Sequence, residues 1–256
     1  MAKAHLSRPK TRATRQSKNH DAHGNAIRNS ILLSLSAEEA EEMIPRLEFV
    51  ELPLRFLLCE AREPIRFAYF INSGLGSVLS VMGDGKLVEV GLIGKEGFSG
   101  VPLIVGLRSS PTRIVMQIAG RGFRIAADEL TATLSRCPQL DKRLLRYSQD
   151  LAMQGTQVAA CNRLHSVEAR LARWLLMSVD RIGGNVVPLT QEFLGHMLGT
   201  RRASVTVAAA VLQKARLIGY TRSRVAITNR RALERAACEC YGNLKRQTKA
   251  WNREQL

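Results

Sequence analysis

The spacing of apolar residues changes along this 256-residue chain from a strand pattern to a helix pattern. Between about residues 52 and 125, short apolar or alternating runs are separated by Gly, Pro and Asp, which is typical of β-strands joined by turns. The runs cover 65–70, 77–82, 87–93, 114–119 and 122–125, and residues 83–86 have the composition of a hairpin turn. Many short strands at this spacing predict an antiparallel sandwich or barrel.

Helical periodicity replaces the strand pattern after residue 128. A long helix is predicted to begin at Pro138, and its apolar seam recurs at steps of three and four residues: Leu140, Leu144, Tyr147, Leu151, Gln154, Val158 and Cys161. We expect this seam to pair with the same helix of a second chain. The alternative is that the seam packs against the strands of its own chain.

Three further elements follow from local signals. Residues 31–47 form a short helical region in which Ser36 is the expected N-cap and Pro45 limits the helix. Residues 167–179 form an amphipathic helix that Gly183 and Gly184 close. Residues 1–29 are polar and basic without an apolar period, so we expect a flexible tail.

The net charge of +16 is concentrated at the two ends of the chain. Residues 163–256 carry 17 Lys and Arg against 6 Asp and Glu, whereas residues 31–162 carry 14 against 15 and residues 1–30 carry 7 against 1. A basic C-terminal part next to a neutral central part predicts a polyanion as the partner. A solvated basic face is the alternative.

Composition argues against several other classes of protein. No run approaches the roughly 18 apolar residues of a membrane helix, and no secretory signal is present, so we expect a cytoplasmic protein. Five scattered cysteines indicate a reducing compartment, and Cys238 and Cys240 are only half of a metal site, so we expect no metal. The glycines around 74–76 and 91–97 are interpreted as turn residues, and the histidines lack a catalytic carboxylate pattern, so we expect no enzyme.

A helix-turn-helix is predicted between residues 190 and 212. Thr190 can cap a first helix through Leu198, Gly199 permits a tight turn, and Thr200 can cap a second helix. The exposed face of the second helix carries Arg201, Arg202, Ser204 and Thr206. Such a helix places its N-terminal residues against base edges in the major groove.

Residues 219–227 have the pattern of a two-stranded wing. Arg222 and Arg224 flank Ser223 at the tip, where side chains reach the phosphate backbone. Arginine suits this surface because its planar fork can donate two hydrogen bonds to one guanine or to a phosphate. A single arginine is more often a solvated charge, so the prediction depends on the joint placement of these residues.

The segment 189–206, LTQEFLGHMLGTRRASVT, resembles the helix-turn-helix signature of the Crp-Fnr superfamily, the regulators related to the bacterial cyclic-AMP receptor protein. The segment 167–176, VEARLARWLL, is similar to the helix that opens the DNA-binding domain of that family. The resemblance covers about residues 30–235 and implies an α+β fold. It implies a cyclic-nucleotide-binding-like sensory β-roll over 30–136, a dimerisation helix over 137–164 and a winged helix-turn-helix over 165–235. The disordered basic tail over 1–29 and a C-terminal extension over 236–256 lie outside the resemblance.

The resemblance also implies roles for particular residues. Arg202 matches the arginine that reads guanine in the cyclic-AMP receptor branch, whereas Ala203 and Val207 replace its glutamate and second arginine, so the operator sequence is not inherited from that branch. The residues expected to contact DNA are Thr190, Thr200, Arg201, Arg202, Ala203, Ser204, Thr206, Val207, Arg222 and Arg224. The expected dimerisation residues are Leu140, Leu144, Tyr147, Leu151 and Val158.

The sensory pocket departs from the cyclic-nucleotide pattern. Val101 stands where nucleotide binders have a glutamate for the ribose, and Arg113 is displaced from the usual position of the phosphate-binding arginine. The expected effector pocket consists of Gly97, Phe98, Ser99, Gly100, Val101 and Arg113. Cyclic nucleotide is therefore not expected as the ligand, and we expect no cofactor.

The sequence predicts a bacterial, homodimeric, DNA-binding transcription regulator whose β-roll senses a signal. The resemblance implies double-stranded DNA and RNA polymerase as partners, and no membrane. The alternative is a cyclic-nucleotide-binding adaptor that does not contact DNA, which the helix-turn-helix pattern and the basic C-terminal part both disfavour.

Overall fold

The computed structural model describes residues 19–189, 194–195, 197–221 and 224–253. The strands are β1 Glu48–Leu52, β2 Leu57–Cys59, β3 Phe67–Val81, β4 Leu87–Ile93, β5 Phe98–Ser99, β6 Thr112–Ala126, β7 Val186–Pro188, β8 Ile218–Thr221 and β9 Arg224–Ile227. The helices are α1 Ser30–Leu33, α2 Ala37–Met43, α3 Ala127–Leu134, α4 Pro138–Leu164, α5 Val167–Ile182, α6 Arg202–Lys214, α7 Arg230–Ala236 and α8 Glu239–Arg253. None of the helices in this part of the chain is long and apolar enough to cross a membrane.

The N-terminal half is an antiparallel β-roll, as the sequence predicts. Its sheet has the order β1-β6-β3-β4, with β2 added to β6 and β5 added to β3. The five predicted runs form three strands, because 65–70 and 77–82 belong largely to β3 while 114–119 and 122–125 belong to β6. These two long strands pair from Phe67 opposite Ala126 to Ser80 opposite Thr112.

Glycines allow the long strands to bend without ending. The β3–β6 pairing shifts register near Ser73, where Gly74 has a φ of 88° and a Cβ on Gly120 would lie 1.9 Å from the Ser73 carbonyl oxygen. The interpretation of Gly74 as a turn residue is therefore wrong, because it occupies a strand irregularity. The predicted hairpin turn is confirmed between β3 and β4, where the Met82 amide donates to the Lys86 carbonyl over 2.9 Å.

The N-terminal helical region folds against the β-roll. Ser36 caps α2 as predicted, since its hydroxyl accepts from the Glu39 amide at 3.2 Å. The chain is already fixed before α1, because the Asn72 side-chain oxygen accepts from the Arg28 and Asn29 amides at 2.6 and 3.0 Å and Ile27 is buried. The expectation of a flexible tail over 1–29 is therefore wrong for residues 26–29, which bond to Asn72 of β3. Residues 1–18 lie outside the described part.

The predicted seam of α4 is buried within its own chain, which corrects the expected dimer contact. Leu140 and Leu144 are fully buried in the β-roll core, and Val158 is buried as well. Tyr147 packs 5.6 Å from the Phe98 ring, over Gly97, where a Cβ would overlap the tyrosine hydroxyl. The seam therefore satisfies its apolar surface intramolecularly, which was the alternative interpretation. Leu151 is partly buried against the same core.

The C-terminal half has a second core, formed by α5, α6, α7 and the sheet β7-β9-β8. Gly183 ends α5 with a φ of 75°, as predicted. The extension after residue 236 forms α8, which packs on α4 and α5. Asp180 fixes α8, because its carboxylate accepts from Arg230 at 2.5 Å and from the Tyr241 hydroxyl at 2.8 Å.

A buried carboxyl group joins the two halves. Glu89 of β4 is 4% exposed and accepts from Trp174 Nε1 of α5 at 2.7 Å and from the Ser77 hydroxyl at 2.6 Å. Burial is the main cause that raises the pKa of Glu89 to about 7, and the two hydrogen bonds oppose this shift. Ionised Glu89 therefore destabilises the folded state at neutral pH.

Replacing Glu89 with Gln should make the protein less sensitive to pH. Because the pKa of Glu89 is raised on folding, its contribution to stability is complete below about pH 4.5 and is lost as pH rises through about 7. The free energy of unfolding of Glu89→Gln, relative to the unmodified protein, should therefore rise by roughly 2 kcal/mol between pH 5 and pH 8.

Urea unfolding at both pH values measures this change. The exposed Glu51→Gln is the control and should leave the difference between the two pH values unchanged. A Glu89→Gln variant with the pH dependence of the unmodified protein would show that Glu89 is ionised in a solvated site.

Candidate nucleic-acid interface

The turn of the predicted helix-turn-helix is built around Gly199. Leu194, Gly195 and Met197 are helical, and Gly199 has a φ of 54°, a left-handed conformation that favours glycine. The Thr200 amide donates to the Gly195 carbonyl at 3.0 Å, which closes the turn. Gly199 therefore has its predicted role.

The second helix begins later than predicted. α6 starts at Arg202, Arg201 is its N-cap residue, and the cap has no side-chain hydrogen bond. Thr200 is therefore not the cap, because it belongs to the turn. Thr190, predicted to cap the first helix and to contact DNA, lies outside the described residues.

α6 has one buried face and one exposed face. Its buried residues Val205, Ala208, Ala209 and Leu212 join the core with α5 and the wing strands. The exposed residues at its N-terminal end are Arg201, Arg202, Ala203, Thr206 and Val207, and Ser204 is half-buried. The helix thus presents the predicted side chains together on its outer surface.

The exposed end of α6 is suited to an anionic partner. Arg201 and Arg202 stand at the start of the first turn, and that turn carries no acidic residue. The positive end of the helix dipole adds to their charge. Val207 is 61% exposed at the next turn, which leaves an apolar side chain free to contact a partner.

Arg170 positions the first helix of the motif. It is 6% exposed on α5, and its guanidinium donates to the carbonyl oxygens of Leu198 and Asn162. The contact ties the end of the first helix to α5, so Arg170 is a positioning residue that the sequence analysis missed. Its signal was a charged residue within the strongly apolar segment 167–179.

The wing consists of β8 and β9, paired from Ile218 opposite Ile227 to Thr221 opposite Arg224. β7 pairs with the other edge of β9, so the apolar run 186–188 anchors the wing. Arg224 is exposed near the tip. The other predicted contact, Arg222, lies outside the described residues.

A cavity of about 280 Å³ lies between the β-roll and α4. Its walls are mostly apolar and include Val78, Val90, Phe98 and Ile114, and α4 contributes Ser148, Leu151, Ala152 and Gly155. Of the predicted effector residues, Phe98, Gly100 and Val101 line this cavity. Ligand recognition there would depend on shape and apolar contact.

The remaining predicted effector residues have other contacts. Arg113 pairs with Glu60 at 2.9 Å and keeps the pKa of that carboxyl below its ordinary value. Gly97 packs under Tyr147, and Ser99 is buried in β5. No charged side chain among the described residues lines the cavity.

Side chains that could hold a metal ion come together where α4 ends. They are Cys161, His165, Cys238 and Cys240, and their candidate ligand atoms lie within 4.8 Å of one another. The sequence analysis noted only the Cys238–Cys240 pair. The missed signal was the spacing of Cys161 and His165, four residues apart at the end of a predicted helix.

Comparisons with known proteins agree with this architecture. Residues 169–236 match the family of the Crp-like helix-turn-helix domain. A comparison with curated proteins finds no significant match in sequence.

Three solved structures share the fold. FixK2 from Bradyrhizobium japonicum has a TM-score of 0.65 at 15% identity, over 75% of this chain and 98% of FixK2. The c-di-GMP responsive regulator CLP of Xanthomonas campestris has a TM-score of 0.62 at 17% identity, over 75% of this chain and 99% of CLP. A CRP-family transcriptional regulator from Thermus thermophilus has a TM-score of 0.57 at 21% identity, over 73% of this chain and 96% of that protein.

The domain match falls on the α5–α7 region that carries the exposed basic helix, and the fold likeness extends over the β-roll and α4. An adaptor without a DNA-binding role is disfavoured, because the matched domain is the Crp-like helix-turn-helix. The matched domain and the shared fold together identify a DNA-binding transcription regulator in which residues 169–236 form a Crp-like helix-turn-helix domain.

Proposed function

We propose that this regulator binds a roughly palindromic DNA site as a homodimer and that a ligand in the β-roll cavity alters its DNA affinity. The exposed basic end of α6 carries the proposal, because it places Arg202, Thr206 and Val207 on one accessible surface. Two such helices would enter the major groove about one helical turn apart. The resemblance also suggests the cytoplasm as location, RNA polymerase as partner and binding, without catalysis, as the activity.

The exposed side chains of α6 and of the wing have distinct proposed roles at the DNA. Arg202 reads a guanine through O6 and N7, and Val207 contacts a thymine methyl group. Arg201 and Arg224 contact phosphates, which increases affinity without reading the sequence. Thr206 Oγ1 bonds to the Arg202 carbonyl at 3.1 Å, so this hydroxyl is held against the helix.

Arg202→Ala should weaken specific DNA binding by roughly 1–3 kcal/mol and relax the preference at one base pair in each half-site. The measurement is a fluorescence titration with the cognate site and with random DNA, at two salt concentrations. Arg231→Ala on α7 removes the same charge from another exposed position and is the control. Equal losses on cognate and random DNA for Arg202→Ala would show that Arg202 contacts only phosphate.

The proposed dimer contact is the exposed face of α4 that lies outside the buried seam and borders the cavity. Leu145, Ala152, Thr156 and Ala159 are exposed and recur at helical spacing. The small side chains in this stripe permit close approach of a second helix. Leu145 is 40% exposed in the single chain and would gain an apolar partner.

Glu substitutions at both Ala152 and Ala159 should separate the protomers, because four like charges would meet between two α4 helices. Thermal unfolding of each protomer should change little, since both positions are exposed. Sedimentation velocity measures the oligomeric state, and Ala132→Glu, exposed on α3, is the control. A doubly substituted protein that remains dimeric would place the dimer contact elsewhere.

The cavity provides a route from ligand to DNA affinity. Ser148 and Ala152 line it from α4, and Ala152 also belongs to the proposed dimer face. A ligand that fills the cavity therefore contacts the helix whose pairing sets the spacing of the two α6 helices. Such a ligand shifts DNA affinity only if it binds one arrangement of α4 more tightly.

The lining favours a small, uncharged and largely apolar ligand over a cyclic nucleotide. Val101 cannot accept a hydrogen bond from a ribose hydroxyl, and a buried polar group without a partner costs about 1–3 kcal/mol. Arg113 is already paired with Glu60 outside the cavity lining.

Calorimetry with cyclic AMP and cyclic GMP should therefore detect weak binding or none. A cyclic-AMP-binding member of the family, titrated under the same conditions, is the control for the assay. Stoichiometric micromolar binding of either nucleotide, accompanied by tighter DNA binding, would contradict this assignment.

A further inference from the structure

Three cysteines and one histidine from distant parts of the chain meet in one small cluster. Cys161 lies in the last turn of α4, His165 is the C-cap residue of α4, and Cys238 and Cys240 stand at the start of α8. Cys161 Sγ is 3.4 Å from Cys238 Sγ, and Cys240 Sγ is 3.6 Å from His165 Nδ1. All four candidate ligand atoms lie within 4.8 Å of one another.

The fold itself builds this cluster. Cys161 and His165 are four residues apart and project from one side of the end of α4. Packing of α8 against α4 brings Cys238 and Cys240 to the same place. The three thiols are buried and His165 is half-buried, so the cluster is largely shielded from water.

We infer that Cys161, His165, Cys238 and Cys240 bind one Zn²⁺ ion in each chain. Three thiolates and one imidazole are a ligand set of structural zinc sites, and all four positions are filled by protein atoms. Ligands about 2.3 Å from a tetrahedral zinc lie about 3.8 Å apart, which agrees with the 3.4 and 3.6 Å separations of this cluster. Iron–sulfur clusters need a wider cage, because their cysteines bind different iron atoms.

Neighbouring side chains complete the surroundings of a metal site. Gln157 Nε2 donates to Cys240 Sγ at 3.1 Å. His165 Nε2 faces the Glu239 carboxylate at 3.8 Å, which leaves Nδ1 directed at the cysteines. Outer partners of this kind fix the tautomer and orientation of the histidine ligand and support the thiolates.

A buried arginine balances the charge of the proposed site. Zinc with three thiolates has a net charge of −1, which is unfavourable in a buried location unless a cation compensates it. Arg173 is 3% exposed, its charge acts on Cys161 and Cys238, and no carboxylate among the described residues lies within ion-pair distance of it. Its Nε also lacks a hydrogen-bond partner in the described part of the chain.

The metal would have a structural role, because no coordination position is left for substrate. It would join the end of α4 to the start of α8 beside the junction with α5. Each cysteine thiol releases its proton to solvent when it binds zinc, so loading is favoured by higher pH. This inference is independent of DNA recognition and replaces the expectation that the chain binds no metal.

The test measures metal bound by the full-length protein, purified under reducing conditions. Elemental analysis should find one zinc ion per chain. Replacement with Co²⁺ should give the visible d–d bands and thiolate charge-transfer absorption of a tetrahedral site. This spectrum is recorded on the unmodified protein, so the test does not depend on whether a variant folds.

Variants then assign the ligands. Cys161→Ser and Cys240→Ser should weaken zinc affinity by more than the roughly 10–100-fold expected for Gln157→Ala, which removes an outer partner. The double variant Cys59→Ser, Cys137→Ser is the control, because these buried thiols lie outside the cluster and should leave metal content unchanged.

Three results would overturn the assignment. They are a folded protein that gives no tetrahedral cobalt spectrum, iron with acid-labile sulfide in place of zinc, or a Cys161–Cys238 disulfide in the freshly purified protein. Retention of zinc by Cys161→Ser and Cys240→Ser at unchanged affinity would also exclude these residues as ligands.

Discussion

Leu140 and Leu144 are fully buried where α4 lies against the β-roll, and the rest of the structure depends on this packing. Full burial of a leucine side chain contributes about 1.5–3 kcal/mol, and Tyr147 extends the contact over Gly97. With this face used, the opposite face of α4 is left for a partner. The same packing closes one side of the apolar cavity and directs the end of α4 towards α8.

The junction between the two halves is largely apolar, but it also buries the carboxyl group of Glu89. Glu89 accepts hydrogen bonds from Trp174 and Ser77, but its burial raises the pKa of its carboxyl to about 7. A junction of this kind is held less tightly when the carboxyl is ionised. Val88, the neighbouring residue of β4, lies beside Gly199, since a Cβ on that glycine would be 3.3 Å from Val88 Cγ1, so the junction adjoins the helix-turn-helix. This arrangement permits a change in the β-roll to alter the orientation of α6.

The proposed zinc site lies at the C-terminal end of α4, where α4 meets the start of α8. Cys161 lies in the last turn of the helix that carries both the cavity lining and the proposed dimer face. Arg173 of α5 is close enough for its charge to act on both Cys161 and Glu89. A metal there would limit how α4 and α8 move relative to each other. The cavity, the buried carboxyl and the proposed metal site thus each involve α4 or α5, and α5 packs against α6.

Local signals in the sequence determined the elements whose causes are local. The Ser36 cap, the hairpin at 83–86, the Gly199 turn and the buried stripe of α6 were all predictable, because each depends on residues within a few positions of one another. The helix-turn-helix segment was also sufficient to predict the Crp-like helix-turn-helix domain. Its surface residues were predictable because the buried stripe defines the exposed face.

Tertiary structure alone decided which surfaces meet. The α4 seam has the same periodicity whether it faces a second chain or its own β-roll, so only the fold could distinguish these partners. The predicted runs 65–70 and 77–82 join into β3, and 114–119 and 122–125 join into β6, because the two long strands pair with each other past their glycines. A short stretch of sequence does not reveal this pairing. Cys161 meets Cys238 across 77 residues of sequence, because contacts between distant segments arise from packing and leave no periodic pattern in the chain.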